Sequence, residues 1–326
     1  MSTMTKRERL EAAIHGQATD RTPIALWRHF PGDDYRPADL AESSVGFQRR
    51  YDFDLVKVTP TSSFSVADWG VKDEWRGNEE GTRVYTHYPI QSPDDWARLP
   101  DLDARSGFLG AQLECLDLVH RELGDETPFI QTIFTPLGQA KHLAGASVFI
   151  HMRQHPAALK IGLEKITQRT IRFIEEASKT GIAGIFYAIQ QASYALTSQA
   201  EYAEFGKAYD LRVLEAAKNL WLNVLHLHGD DVMFDLAADY PVQVWNWHDR
   251  DTLPTLRDGL AQVRGAVCGG LSREWAMLRG APDDVRREIA DAIAQTGGRR
   301  YIIGTGCVTF INTPESNLRA ARAAVE

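Results

Sequence analysis

Cysteine is scarce in this chain. Three thiols in 326 residues, Cys115, Cys268 and Cys307, are few and odd in number, which argues against a disulfide framework. Long apolar runs are missing too. No stretch reaches the length that spans a bilayer, and the opening Met1-Ser2-Thr3-Met4-Thr5-Lys6-Arg7-Glu8-Arg9 has none of the apolar core of a secretion signal. The expectation is a cytoplasmic protein with no membrane partner, in which each cysteine is free to bind metal or fill core. Positive charge is in the minority: 36 Lys and Arg face 44 Asp and Glu, for a formal net charge of -8, and the basic residues are scattered. That weighs against a nucleic-acid partner. No Gly-x-Gly-x-x-Gly opens a helix after the first apolar segment, and no Walker loop, His-Glu-x-x-His or Ser/His/Asp signature is present. A dinucleotide fold therefore has no support.

What is present is a rhythm. Short apolar segments alternate with amphipathic ones, with strand candidates near residues 24, 55, 130, 186, 225, 244, 267 and 302. Strands separated by helices pair in parallel through right-handed crossovers, and eight such units predict an α/β fold, a closed (β/α)8 TIM barrel. An N-terminal helix over residues 5–15 precedes the first strand. Residues 60–105, rich in Trp, Gly, Asp and Thr, read as an insertion after the second strand with a small hairpin around 83–86. No linker or internal repeat interrupts the chain, so residues 1–326 are expected to form one domain.

A parallel barrel gathers its chemistry at the C-terminal strand ends. The sequence places Trp27, Arg28 and His29 there, then Lys57 and Thr59, Gln131 and Thr132, and Tyr187, Gln190 and Gln191. His226 and His228 follow, then Asn246, Trp247, His248 and Asp249, and finally Cys307. In Val224-Leu225-His226-Leu227-His228 the two histidines share a strand face, because alternate residues point the same way. They are either ordinary histidines or a two-point clamp for a metal ion. Cys307, at a second strand end, completes a His/His/Cys set that suits Zn2+ and leaves a fourth position open, or filled by Asp249 or Glu274. Cys268 and Cys115 read as inert residues of core and helix. Arg28 either grips a carboxylate or phosphate or pairs with Asp33 or Asp34. His29, His248 and Asp249 are the candidate acid–base groups, and Trp27, Arg28, Tyr187, Gln190 and Trp247 the candidate substrate contacts.

Several stretches together resemble the uroporphyrinogen decarboxylase superfamily. They are Lys6-Arg7-Glu8-Arg9-Leu10 with Asp20-Arg21-Thr22-Pro23, Thr135-Pro136-Leu137-Gly138 with Leu143-Ala144-Gly145, and Gly306-Cys307-Val308 followed by Thr313-Pro314-Glu315-Ser316-Asn317-Leu318. The resemblance implies a (β/α)8 barrel. True decarboxylases of that superfamily carry Met-Arg-Gln-Ala-Gly-Arg where this chain reads Leu26-Trp27-Arg28-His29-Phe30-Pro31-Gly32, and histidine where it has Cys307. One arginine remains, which speaks against a substrate with eight carboxylates. The zinc-dependent methyltransferase branch is closer. Its His-x-Cys-Gly and late Gly-Cys match His226 and Cys307, with His228 in the place of the first cysteine.

The resulting expectation is a zinc enzyme that moves a methyl group between a small molecule and a thiol or corrinoid acceptor. The corrinoid would be carried by a separate protein docking at the barrel mouth. The alternative is a metal-free decarboxylase or lyase acting on a small carboxylated substrate held by Arg28. Pairing into a homodimer is left open.

Overall fold

The structure, a computed structural model, describes residues 3–326. Its strands are β1 (Val56–Val58), β2 (Lys72–Glu74), β3 (Val84–His87), β4 (Phe129–Phe134), β5 (Gly184–Ile189), β6 (Val224–Leu227), β7 (Val244–Trp247), β8 (Ala266–Leu271) and β9 (Tyr301–Thr305). Seven of them form a parallel sheet in the order β1-β4-β5-β6-β7-β8-β9, while β2 and β3 pair antiparallel inside the expected insertion. The β4 to β9 strands are buried on both faces, as a sheet covered by helices requires.

Segment 23–27 supplies the eighth position and closes the ring. Ile24 bridges Ile303 in parallel, with Ala25 N–H donating to the Ile303 carbonyl and Ile303 N–H to that of Pro23. On the other edge, Asp54 N–H donates to the Ile24 carbonyl at 2.8 Å. The expected first strand shrinks to this bridge for a local reason. Pro23 has no N–H to extend a ladder, and the Ile24 N–H is taken by the Asp54 carboxylate at 2.9 Å. That carboxylate is fully buried and also accepts from Arg9 Nη1 at 2.6 Å and from Arg21 at 2.7 and 2.9 Å. Arg9 in turn holds Asp20. The N-terminal helix Lys6–Ile14, capped by Thr5 through a reciprocal bond pair with Glu8, delivers that arginine.

Outside the ring lie longer helices, among them Gly107–Leu123, Pro156–Ala177 and Pro282–Thr296. Leu256–Gln262 starts where the Thr255 hydroxyl accepts from Asp258 N–H. One contiguous cluster of buried apolar side chains joins strands and helices. Among the described residues, no helix is long and apolar enough to cross a membrane.

The closure makes a stability prediction. Asp54→Ala strands Arg9 as a buried, half-paired cation and removes the partner of Ile24 N–H, which is expected to cost about 3–5 kcal/mol in urea unfolding. Arg9 holds the Asp20 carboxyl well below the usual carboxylate range. Its contribution is therefore complete above the ordinary carboxylate pKa of about 4 and is lost as pH falls further.

Candidate metal centre

The parity expected for β6 holds: His226 and His228 turn toward the barrel interior, their rings 5.6 Å apart. His248 joins them from the end of β7, at 5.9 Å from His226 and 5.1 Å from His228. Cys307 arrives just beyond β9, with its Sγ 3.7 Å from His228 Nδ1. One ligand atom from each of these four residues lies within 4.8 Å of all the others. Two ligands of one tetrahedral zinc, with Zn–S near 2.3 Å and Zn–N near 2.05 Å, stand about 3.6 Å apart. The Cys307–His228 spacing has that size. Gly306 makes it reachable, since a Cβ there would sit 2.6 Å from His248 Cα and 2.8 Å from the Trp247 carbonyl.

Asn246, between the outward-facing Trp245 and Trp247, orients the centre. Its amide nitrogen donates to the carbonyls of Cys268 at 2.9 Å and Thr305 at 3.0 Å, so its oxygen must face His226. That oxygen lies 2.7 Å from His226 Nδ1, which therefore carries the proton. The Nε2 lone pair is left free for a metal, the usual arrangement behind a ligating imidazole. Phe186 stacks on His226 from the other side at 5.1 Å, and Trp27 meets Phe186 edge-on at 5.3 Å.

Charge in this interior is tightly contested. Burial pushes the imidazolium of His226 down to about 4 and that of His29 to about 3, so both are neutral near pH 7. Burial also opposes charge on His228, but hydrogen bonding and attraction to Cys307 outweigh it and raise its pKa. Burial would push the Cys307 thiol up, yet contacts with His226, His228 and His248 hold it well below its ordinary value. His248 Nε2 is buried and has no partner among the described residues. A donor set with a neutral His226 imidazole, a stabilised thiolate and one orphaned nitrogen suits Zn2+.

Other candidate residues lie elsewhere. Asp249 turns away from the histidines: its carboxylate accepts from Gly270 N–H at 3.1 Å, and burial pushes its pKa up to about 7. Asp249 shares the outward phase of Trp245 and Trp247, and beyond Trp247 the chain turns, Asp249 N–H bonding the Trp247 carbonyl. Glu274 pairs with Arg279. Neither carboxylate therefore reaches the cluster, and His248 is the residue that stands beside the other three. Tyr187 and Trp247 face the helical layer rather than a substrate. Tyr187 donates to the buried Asp210 together with Tyr202 and Tyr240, and Trp247 Nε1 donates to the Pro254 carbonyl. Both stand one residue out of phase with the inward-facing Phe186 and Asn246. Arg28 bonds the Ile311 carbonyl and lies over Phe30 and Phe47, while Asp34 is paired by Arg83. Gln190 is half-buried near His142, and the fully buried Gln191 has neither amide atom partnered. A surface cleft among Lys6, Arg9, Asp20 and Arg322 is lined by cations and carboxylates that largely pair with one another.

The sequence matches the uroporphyrinogen decarboxylase (URO-D) family over residues 5–326. The chain belongs to that family. It is 23% identical over 359 aligned residues to a uroporphyrinogen decarboxylase of Christiangramia forsetii, covering 99% of both proteins. Among solved structures it is similar to a methyltransferase from Methanosarcina mazei, with a TM-score of 0.87, 19% identity and 98% of each chain covered. A B12-independent methionine synthase from a Shewanella species, in complex with selenomethionine, follows at a TM-score of 0.62 and 12% identity, with 96% of each covered. At these identities the structural likeness establishes the shared barrel fold.

The centre of this URO-D family member predicts selective thiol reactivity. In metal-free protein at pH 7, iodoacetamide is expected to alkylate Cys307 first. Cys115, whose pKa burial pushes up to about 12, and Cys268, pushed further up by burial, should react only on unfolding. Peptide mass spectrometry over a time course reads the order. Equal rates for the three thiols in folded protein would contradict the stabilised thiolate.

Proposed function

We propose that this member of the URO-D family is a zinc-dependent methyltransferase acting on a small molecule, with a thiol or a corrinoid as the methyl acceptor. The observation that carries the reading is the convergence of His226, His228, His248 and Cys307 on one point at the strand ends. Zinc held there would supply Lewis acidity, lowering the pKa of a thiol or hydroxyl presented to it.

The chain's own residues do the rest. His226 through Nε2, His228 and Cys307 through Sγ are the proposed ligands, and Asn246 keeps His226 in the tautomer this requires. His248, whose Nε2 has no partner among the described residues, is placed to take the acceptor's proton as a general base. His29, half-buried and held neutral, is a second proton carrier on the segment that closes the barrel. Trp27 and Phe186 form an apolar wall that keeps water from the reacting atoms. The designation of the Methanosarcina neighbour as a methyltransferase agrees with this reading. A corrinoid, if used, would come on a separate protein docking at the barrel mouth.

The second reading is a metal-free decarboxylase or lyase, favoured by the full-length likeness to the Christiangramia decarboxylase. In it His29 or His248 handles the proton, and activity survives chelation.

Elemental analysis separates the two. Purified protein is expected to hold about one zinc per chain, lost in His226→Ala and Cys307→Ser together with activity. Asn246→Ala should weaken metal binding about 10–100-fold by freeing the His226 ring. His248→Ala should keep the zinc and lose turnover by about 10²-fold or more, as expected for a lost general base. Metal-free protein with full activity in His226→Ala would sink the proposal.

A further inference from the structure

Lys57 is the unexplained charge of the barrel interior. It comes from β1, is only 6% exposed, and makes one side-chain hydrogen bond, to the Thr59 hydroxyl at 3.1 Å. No carboxylate pairs with it among the described residues. Its ammonium lies over the Phe186 ring at 4.6 Å, on the same aromatic group that stacks against His226. Trp27, 3% exposed, also meets Phe186, and its Nε1 is buried with no acceptor. A buried ammonium paired with no carboxylate and an indole N–H with no acceptor are each unfavourable to leave so. Two such donors around one ring beside the histidine–cysteine cluster constitute a site that lacks its acceptor.

We propose that Lys57 Nζ and Trp27 Nε1 form a carboxylate subsite. It would select a small substrate or acceptor that carries its carboxylate a few bonds from the thiol or hydroxyl presented to His226, His228 and Cys307. The inference rests on the metal-centre reading for the second group of that ligand, and on Lys57 and Trp27 alone for the carboxylate. Charge balance supports it. A divalent ion with one thiolate ligand is a net cation, and Lys57 next to it adds positive charge that an anionic ligand offsets. The subsite also explains why Arg28, with its guanidinium turned to the Ile311 carbonyl, is not needed for this role. The aromatic floor between the two polar ends fits the apolar body of such a ligand.

The test uses the full chain loaded with Co2+, whose thiolate charge-transfer band reports ligand binding. The probes are 3-mercaptopropionate and the neutral 2-mercaptoethanol. Wild type should bind the carboxylated thiol about tenfold or more tighter, the size of one charged hydrogen bond. Lys57→Met should bring that ratio close to one while leaving 2-mercaptoethanol binding intact, which a general structural defect would not do. Trp27→Phe, which keeps a ring and removes only the donor, should lower the ratio about threefold. It carries the comparison by itself should Lys57→Met not fold. A ratio unchanged in both variants overturns the proposal.

A second arm separates the subsite from the metal. In metal-free protein, propionate should raise the melting temperature of wild type and not of Lys57→Met, with propanol inert in both. If cobalt does not bind, the metal-centre reading fails, and the propionate arm still decides. A Lys57-dependent shift upholds the carboxylate subsite, and its absence overturns it.

Discussion

Everything in the centre depends on the amide of Asn246. With both of its hydrogens committed to the carbonyls of Cys268 and Thr305, it ties β7 to the two strands that follow and has one orientation available. Its oxygen then dictates the proton position on His226, and with it which ring nitrogen can meet Cys307. A buried amide with its donors satisfied is costly to rotate, because rotation would set oxygen against oxygen and leave an unmet N–H. The strand register supports the same result, since His226 stands directly beside Asn246. A single side chain thus converts sheet geometry into ligand geometry.

Much of this was legible in the letters. The alternation Val224-Leu225-His226-Leu227-His228 fixes a shared face, and a parallel barrel brings the late Gly306-Cys307 to the same end. The eight segments also follow from apolar runs separated by helical stretches. The errors are errors of parity and of turn geometry. Tyr187 and Trp247 lie at strand ends, yet each stands one residue from an inward position, Phe186 or Asn246. Counting in twos outward from His226 would have excluded them. Asp249 falls on the outward phase of Trp247, and Arg28 lies past the short bridge at Ile24, where no ladder fixes a face. Their directions follow from Gly270 N–H and the Ile311 carbonyl, partners distant in sequence. His248 is the opposite case. It keeps the parity of Asn246, and that phase sets it beside His226, His228 and Cys307.

The electrostatics follow from enclosure. Burial alone would leave every group here neutral, and it does so for His29 and His226. Cys307 escapes because three imidazoles surround one sulfur, and their combined attraction outweighs desolvation. Lys57 has no such help beyond Cys307 itself, and burial brings its pKa down to about 7. The interior is therefore poised: few charges, each answering to its neighbour, in a setting where a bound cation or anion changes the balance of the whole set.

The insertion after β1 completes that enclosure. The turn leading into Gly81 lies against His29, where a Cβ on Gly81 would come within 2.6 Å of His29 Cβ, and its φ of +78° suits glycine. The Glu79 carbonyl accepts from Ile311 N–H at 2.9 Å, and Glu80 pairs with Arg273, which lies over Phe310. Glu80 and Arg273 both act on the charge of His228, in opposite senses, so the segment between the hairpin strands sets the field as well as the cover. Residues far from the ligands in sequence thereby limit what can approach them.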